Sequence, residues 1–464
     1  MPGIVMARIP YHELLSKAKK STKRSLDLLA DLIKSPTVVP RDKKGLRECA
    51  DTLQGQFEDY GYKVMLFGKP PVVFAEKNVG AKKTLMCYHH YDVQTEGDLS
   101  LWKSSPWKMT VRNGRAFGRG AVDDKGPCVA SLVGLQIIEE ALGELPVNAK
   151  FVVEGEEEWS SEVLAKFEKK HGNLMKADGC VWEVLSATSG STTEMFSGMK
   201  GDVSIRLTVG NSSDYPTCDA HSGSAGVIPS APWRLIQALK TLKDEDDNIT
   251  IDGVMSHVRR PTKEDVEALK EYRGNIGQKL KANYGLTHFI KNRTGVDLLK
   301  ALYLQPSLSI NGLESGSLGE VHSTIVPAKA VAKLDLRLVP DMHSDEMASL
   351  LRAHLKRRGF DDIEVYAAGY DAAKTPVTDP FIKLVMETAR EVAGPASCNL
   401  LPMMAGTGPA YLFEKHTPFC VGYSYADLDK VYEHGPNENV PIKSMETNSA
   451  FVATIAERMG GLEH

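Results

Sequence analysis

The stretch LMCYHHYDVQ, residues 85–94, opens with apolar residues, as a buried strand does, and then sets His89, His90 and Asp92 together at its far end. A polar turn explains that end blandly. A metal site explains it too, provided the rest of the chain supplies further ligands. In an extended strand, positions i and i+2 share a face. His90 is therefore placed to ligate, and Asp92 to support it or a base beside it. His89 points the other way and reads as structural.

The same pattern recurs further along. NAKFVVEGEEE (148–158) and GCVWEVLS (179–186) are apolar runs that end in carboxylates, and NGRAFGRGAVDDKG leads from a glycine-rich loop into an apolar helix. Strands separated by helices predict an α/β sheet whose ligands gather at strand carboxyl ends. Before them, STKRSLDLLADLIKSPTV reads as a helix ending near Pro36, and LRECADTLQGQFEDYGYKVMLF as a helix leading into an edge strand.

Near residue 195 the texture changes. MKGDVSIRLTVGNSSD alternates like a half-exposed strand. Helices are expected at 229–241 and 262–283, then strand, turn and helix from 328 to 359, and a short strand in DDIEVYAAG. DPFIKLVMETAREVAG is a further helix, after which the chain returns to the first domain. The expected division is a discontinuous outer domain, 1–194 and 400–464, with an α+β domain, 195–399, inserted between its parts.

The bulk numbers agree with this plan. A chain of 464 residues is long enough for two to three domains. With 56 basic against 60 acidic residues there is no positive excess to suggest a nucleic-acid partner. No run approaches the roughly 18 uninterrupted apolar residues of a membrane span. The N-terminal segment lacks an apolar core followed by a small-residue cleavage site, so no secretory signal is expected. The seven cysteines show no CxxC spacing. They read as small buried hydrophobes in a reducing compartment, and the expected location is cytoplasmic.

Each polar cluster has a bland reading. In GRGAVDDKG an aspartate can cap a helix, but adjacent carboxylates disfavour each other without a cation. Asp123 can present both oxygens to metals, with Asp124 and Lys125 behind it. VVEGEEEWS places four carboxylates within five residues; a solvated acidic loop would do so, yet these follow an apolar strand. Glu183 follows another apolar run, and His434 in YEHGPNENV is by itself an ordinary histidine. Taken together, His90, Asp123, Glu158, Glu183 and His434 form a mixed N/O donor set suited to zinc, with manganese or cobalt possible. Five donors exceed one tetrahedral ion. With a bridging aspartate they suffice for two ions about 3.5 Å apart around a water, a hydrolase arrangement.

HHYDVQ, GRGAVDDKGP, EGEEEWSS, DAHSG, KLDLRLVP and EHGPNE occur in the order of the motif blocks of the co-catalytic zinc exopeptidase and amidohydrolase family. That family includes carnosine-type dipeptidases, acetylornithine deacetylase, succinyl-diaminopimelate desuccinylase, aminoacylase and carboxypeptidase G2. The resemblance covers about residues 20–460 and is nearest the dipeptidase-like branch. It implies a zinc-exopeptidase catalytic domain in two parts, with residues 195–399 as an inserted lid and dimerisation domain. It implies that Asp123 bridges two metals, that His90 and Glu183 complete the first, and that Glu158 and His434 complete the second. Glu157 resembles the general base and Asp92 the acidic partner of His90. The peptide bond at Asp123–Asp124 would be cis. His221 of the lid would hold the oxyanion, commonly across a homodimer.

Arg337 is the candidate grip on a substrate carboxylate, against a bland reading as a lid-strand ion pair; Gly406 and Gly408 stand in the segment that borders substrate in the family. Two departures bear on specificity. Glu156 stands where the dipeptidase group often has an apolar residue, and MAGTGPAYLF (404–413) lacks that group's preceding arginine and following serine.

The expected substrate is a dipeptide or short peptide; a deacylase acting on N-acyl amino acids is the alternative. A non-catalytic descendant would be expected to have lost Glu157 or a ligand. A dinucleotide-binding oxidoreductase would need GxGxxG after a strand, and GRGAVDDKG lacks that order.

Overall fold

The structure is a computed structural model, and it describes residues 8–183, 193–317, 319, 323–394, 397–424 and 428–461. The tail of GCVWEVLS at 184–186 lies outside them.

Eight strands form a mixed sheet in the spatial order Lys63–Phe67, Val72–Lys77, Asn148–Glu154, Thr84–His90, Gly179–Trp182, Phe419–Ser424, Thr193–Phe196 and Cys398–Leu401. Thr84–His90 runs parallel to both neighbours, pairing His90 with Glu154 and Tyr88 with Trp182. These three strands therefore end side by side. Their near-continuous apolar runs follow from burial on both faces. Leu85, Cys87, Val153 and Val181 point into one core; Met86, Tyr88, Val152 and Trp182 point into another.

Helix Lys125–Leu142 packs under the first face and against Ile442–Gly460, with 14 of its residues buried. On the second face Tyr88 and Trp182 stack with ring centroids 3.7 Å apart, and Phe413 meets them edge-on at 5.1 and 4.9 Å. That aromatic floor joins the two strands beneath their polar ends.

A second, antiparallel sheet has the order Ser307–Ser315, Ala330–Leu338, Gly201–Val209 and Glu364–Tyr370. Helices Ala231–Lys240 and Ser344–Arg357 cover one face and share its core. Alternating burial along Gly201–Val209 and Ala330–Leu338 fits a sheet with one solvated side.

The single helix expected over 262–283 is broken. Lys263–Glu271 and Ile276–Tyr284 are separate helices. Between them Tyr272 donates its hydroxyl hydrogen to Glu194, and the Arg273 N–H bonds the Asn399 side chain. These contacts to the large sheet outweigh continuation of the helix through Gly274. Leu269, Leu299 and Tyr303 join the second core of the large sheet, and Phe381, Ile382 and Val385 of helix Pro380–Ala393 join the first. Parts of 195–399 therefore pack as layers of the large sheet. Among the described residues no helix is long and apolar enough to cross a membrane.

Candidate metal centre

The cluster forms because the three parallel strands end together. His90 is the last residue of its strand, Glu157 and Glu158 follow the end of Asn148–Glu154, and Glu183 follows Trp182. The Asp92 carboxylate is fully buried and accepts the N–H groups of Glu157 and Glu158 at 3.1 and 3.0 Å. It thereby orients the acidic turn, while its carbonyl lies 3.1 Å from His90 Nδ1.

Asp123 spans two histidines: Oδ1 lies 2.9 Å from His90 Nε2 and Oδ2 lies 2.8 Å from His434 Nε2. The Asp123–Asp124 peptide is cis. His434 Nε2 also sits 3.4 Å from Glu158 Oε1, and Gln94 donates to Glu158 Oε2 at 2.8 Å. Two groups have donor atoms all within 4.8 Å of one another: Asp123, Glu158 and His434, and His90, Asp124 and Glu183. All five candidate ligands thus lie in these two groups.

The second group contains Asp124, which the sequence placed behind the ligands. Asp124 Oδ2 is held by His89 Nδ1 at 2.7 Å and by the His90 N–H at 3.2 Å, and His89 Nε2 in turn meets Ser131 Oγ at 2.9 Å. Lys125 points away, its ammonium donating to the carbonyls of Leu32 and Ser35.

The donor chemistry fits divalent cations. Seven carboxylates, of Asp92, Asp123, Asp124, Glu154, Glu157, Glu158 and Glu183, crowd one strand edge, and Glu158 Oε1 and Glu183 Oε1 are buried with no hydrogen-bond partner among the described residues. Such crowding is costly unless positive charge compensates it. Burial is the largest influence on Glu157 and, with the neighbouring Glu158 and Asp92, pushes its carboxyl up to about 8, against the opposing pull of His90. Glu183 is driven well above the carboxylate range by burial and then by Asp124. Burial also raises Asp123, but the His434 and His90 hydrogen bonds outweigh it and hold that carboxyl low. His434 is pushed up to about 11 by its hydrogen bond to Asp123 and by the nearby Glu158 carboxylate.

Backbone strain collects here as well. Glu183 and His434 adopt left-handed φ values of 43° and 59°. Each such non-glycine residue costs about 1–3 kcal/mol and persists where its surroundings over-determine it. Part of that restraint is a clamp absent from the sequence reading. Buried Glu438 accepts the N–H groups of Gly120, Val122 and Asp123 at 2.9, 3.0 and 3.2 Å, and the Arg119 guanidinium at 2.7 Å. Arg119 then donates to the His434 carbonyl at 3.2 Å. The pair fixes the backbone of both Asp123 and His434.

Arg337 lies on the second sheet, bonded to Asp335 at 2.9 Å, and its guanidinium reaches the Thr407 hydroxyl at 3.1 Å. The Gly406–Gly408 loop therefore ties the second sheet to the cluster. A Cβ on Gly408 would stand 3.5 Å from Glu157 Oε1, and one on Gly406 would meet Met404 Cε at 2.9 Å. Absent side chains keep this approach to Glu157 open.

His221 is not brought into the cluster by any described contact. It ends the short strand Ala220–His221, exposed, and its Nδ1 accepts the Gly223 N–H at 3.1 Å.

Comparison with known proteins bears on this geometry. The family model described as peptidase family M20/M25/M40 matches residues 86–458. The Cys-Gly metallodipeptidase of Schizosaccharomyces pombe is 30% identical over 305 residues, 62% of this chain and 60% of that protein. The Beta-Ala-His dipeptidase of Rattus norvegicus is 28% identical over 306 residues, 64% of this chain and 61% of its own length. The matched stretch therefore spans about three fifths of these relatives. A solved M20 family metallo-carboxypeptidase of Sulfolobus solfataricus superposes with a TM-score of 0.85 at 32% identity, covering 94% of this chain and 99% of that one.

Proposed function

This chain belongs to peptidase family M20/M25/M40, and from that premise we propose that it is a di-metal dipeptidase cleaving the amide bond of dipeptides or short peptides with a free C-terminal carboxylate. The observation that carries the reading is the placement of Glu157. Its carboxyl feels the charges of His90, Glu158 and Asp123, members of both candidate metal groups, and its Oε1 stands 3.5 Å from the Cβ position of Gly408, in the loop that meets Arg337. This supports a base, cation sites and a carboxylate grip bordering one space.

His90, Asp123 and Glu183 would hold one ion, and Asp123, Glu158 and His434 the other. Zinc suits these donors, with manganese or cobalt as alternatives. Divalent ions held there supply Lewis acidity that polarises a carbonyl and acidifies water. Glu157 takes the proton of the attacking water and returns it to the leaving amine. Asp92 keeps that carboxylate aimed through the turn's N–H groups. Arg337 grips the substrate carboxylate, for which a guanidinium offers two parallel donors, while Gly406 and Gly408 leave room for the substrate backbone.

His221 acts as the oxyanion donor from the partner subunit of a homodimer. Two features support this role. The imidazole is exposed and joined to no cluster residue, and the second sheet has uncovered apolar surface: Ile310 and Leu313 on its edge strand are 50% and 57% exposed. An open apolar edge of this kind suits pairing with a second chain. Six of the seven cysteines are free and buried, which fits a cytoplasmic location.

A second reading comes from the solved carboxypeptidase relative, which matches 94% of this chain. One panel separates the possibilities: free dipeptides, N-blocked dipeptides, and N-acetyl or N-succinyl amino acids. Turnover of free dipeptides supports the proposal. Preference for blocked dipeptides favours carboxypeptidase action, and turnover of acyl amino acids alone replaces both with a deacylase.

A further inference from the structure

The turn that carries Glu157 has another wall. A cleft of about 800 Å³ is lined by Glu156, Trp159 and Ser160 of this turn, and by neither Glu157 nor Glu158. None of the candidate ligands and no residue of the Gly406–Gly408 loop borders it. Across from the turn stand the start of helix Lys43–Asp59 and the prolines at 40, 70 and 71.

Basic side chains outnumber acidic ones on this cleft by three to two. Lys43 and Lys69 line it, and neither makes an ion pair or side-chain hydrogen bond among the described residues. Arg47 adds a third cation, paired with Asp51 at 2.8 Å. The two acids on the wall are engaged: Glu156 accepts the Val163 N–H at 2.5 Å and Glu162 lies 3.3 Å from Lys166. Trp159 leaves 63% of its surface exposed at the rim. A large exposed ring beside prolines and unpaired ammonium groups recognises a molecule with an apolar body and one negative group.

We propose that this cleft binds a small amphipathic carboxylate, its apolar body against Trp159 and the prolines and its carboxylate towards Lys43 and Lys69, and that occupancy alters the turn carrying Glu157. The linkage is physical. The N–H groups of Trp159, Ser160 and Ser161 all donate to the Glu156 carbonyl at 3.2, 2.9 and 3.0 Å. Those of Glu157 and Glu158 are fixed by Asp92. A ligand bearing on Trp159 therefore acts on the same hydrogen-bonded turn. The site also gives Glu156 a place in the molecule: it caps the N-terminus of helix Glu162–His171 and shapes the cleft wall.

4-Phenylbutyrate and its uncharged analogue 4-phenylbutanol serve as probes on the metal-loaded protein. Tryptophan fluorescence should change saturably with the acid, and Trp159→Phe should abolish that change. The alcohol should bind about tenfold more weakly, a gap that Lys43→Ala with Lys69→Ala should close. Hydrogen-exchange mass spectrometry should show protection at 39–47, 69–71 and 156–162, and none at 404–408. Equal affinity for acid and alcohol, a signal that survives Trp159→Phe, or protection centred on 404–408 would overturn the site. The linkage is tested kinetically and rests on the dipeptidase reading: the acid should change kcat by about twofold or more at saturating substrate. Unchanged kcat, or pure competition with substrate, defeats the linkage. If no dipeptide is cleaved, the dipeptidase reading falls while the fluorescence and exchange arms still decide the cleft.

Discussion

The strand ends around Asp123 and the strand end at His221 present the same kind of side chain in opposite settings. His90 is 2% exposed and meets Asp123 at 2.9 Å; His221 is exposed and meets only the N–H of Gly223 among the described residues. The difference lies in topology. Three parallel neighbouring strands must end at one edge, so their terminal residues converge whatever else the chain does. The two-residue strand Ala220–His221 pairs only with the equally short antiparallel strand Ile325–Val326, so no parallel neighbours end beside it. The first group of residues is preorganised by its own chain, whereas the proposed role of His221 requires closure or a second subunit.

Glu157→Gln keeps the shape of the turn and removes the base, so turnover should fall by about 10²–10⁴-fold while elemental analysis finds the metals retained. Loss of metal together with activity would make Glu157 a ligand instead. On the other side, His221→Ala should lower kcat by about 10²–10³-fold, the worth of a transition-state donor, with metal content unchanged. Mixing His221→Ala chains with Glu157→Gln chains should restore activity to about a quarter of wild type per chain, because random pairing makes half the dimers mixed and each mixed dimer holds one complete site. No recovery after verified subunit exchange would place His221 within its own chain or outside the reaction.

Smaller effects sharpen the contrast. Glu438→Gln weakens the clamp on Asp123 and His434 without touching either side chain, and should cost about 10–100-fold in metal affinity, read by competition with a chelating dye. An unchanged affinity would assign the restraint elsewhere. Arg337→Lys keeps a charge but loses the paired donors, and should raise KM about tenfold with little change in kcat. A fall in kcat alone would argue against a grip on the substrate.

Much of the cluster is legible from residue order because it depends on local patterns. Apolar runs ending in His90, in the turn at 156–158 and in Glu183 declare both the strands and their polar ends. Their mutual arrangement needs only the parallel order of three strands. The clamp is a different matter: Arg119 and Glu438 are 319 positions apart, and nothing in either local pattern announces a buried pair. The role of Asp124 likewise depends on His89, which the strand alternation turns away from His90 and towards the neighbouring helix. The broken helix at 272–275 has the same cause. Tyr272 and Arg273 are claimed by Glu194 and Asn399 of the large sheet, contacts that helical periodicity does not encode.

The proposed chemistry rests on two cations held by the chain's own strand ends and joined through Asp123. Metal counting on wild type, His434→Ala and Asp123→Ala, prepared alike, tests it most directly. Close to two divalent ions per chain are expected for wild type, about one for His434→Ala, and loss of both for Asp123→Ala. Full activity with no bound ion, or an Asp123→Ala protein that keeps both, would contradict it.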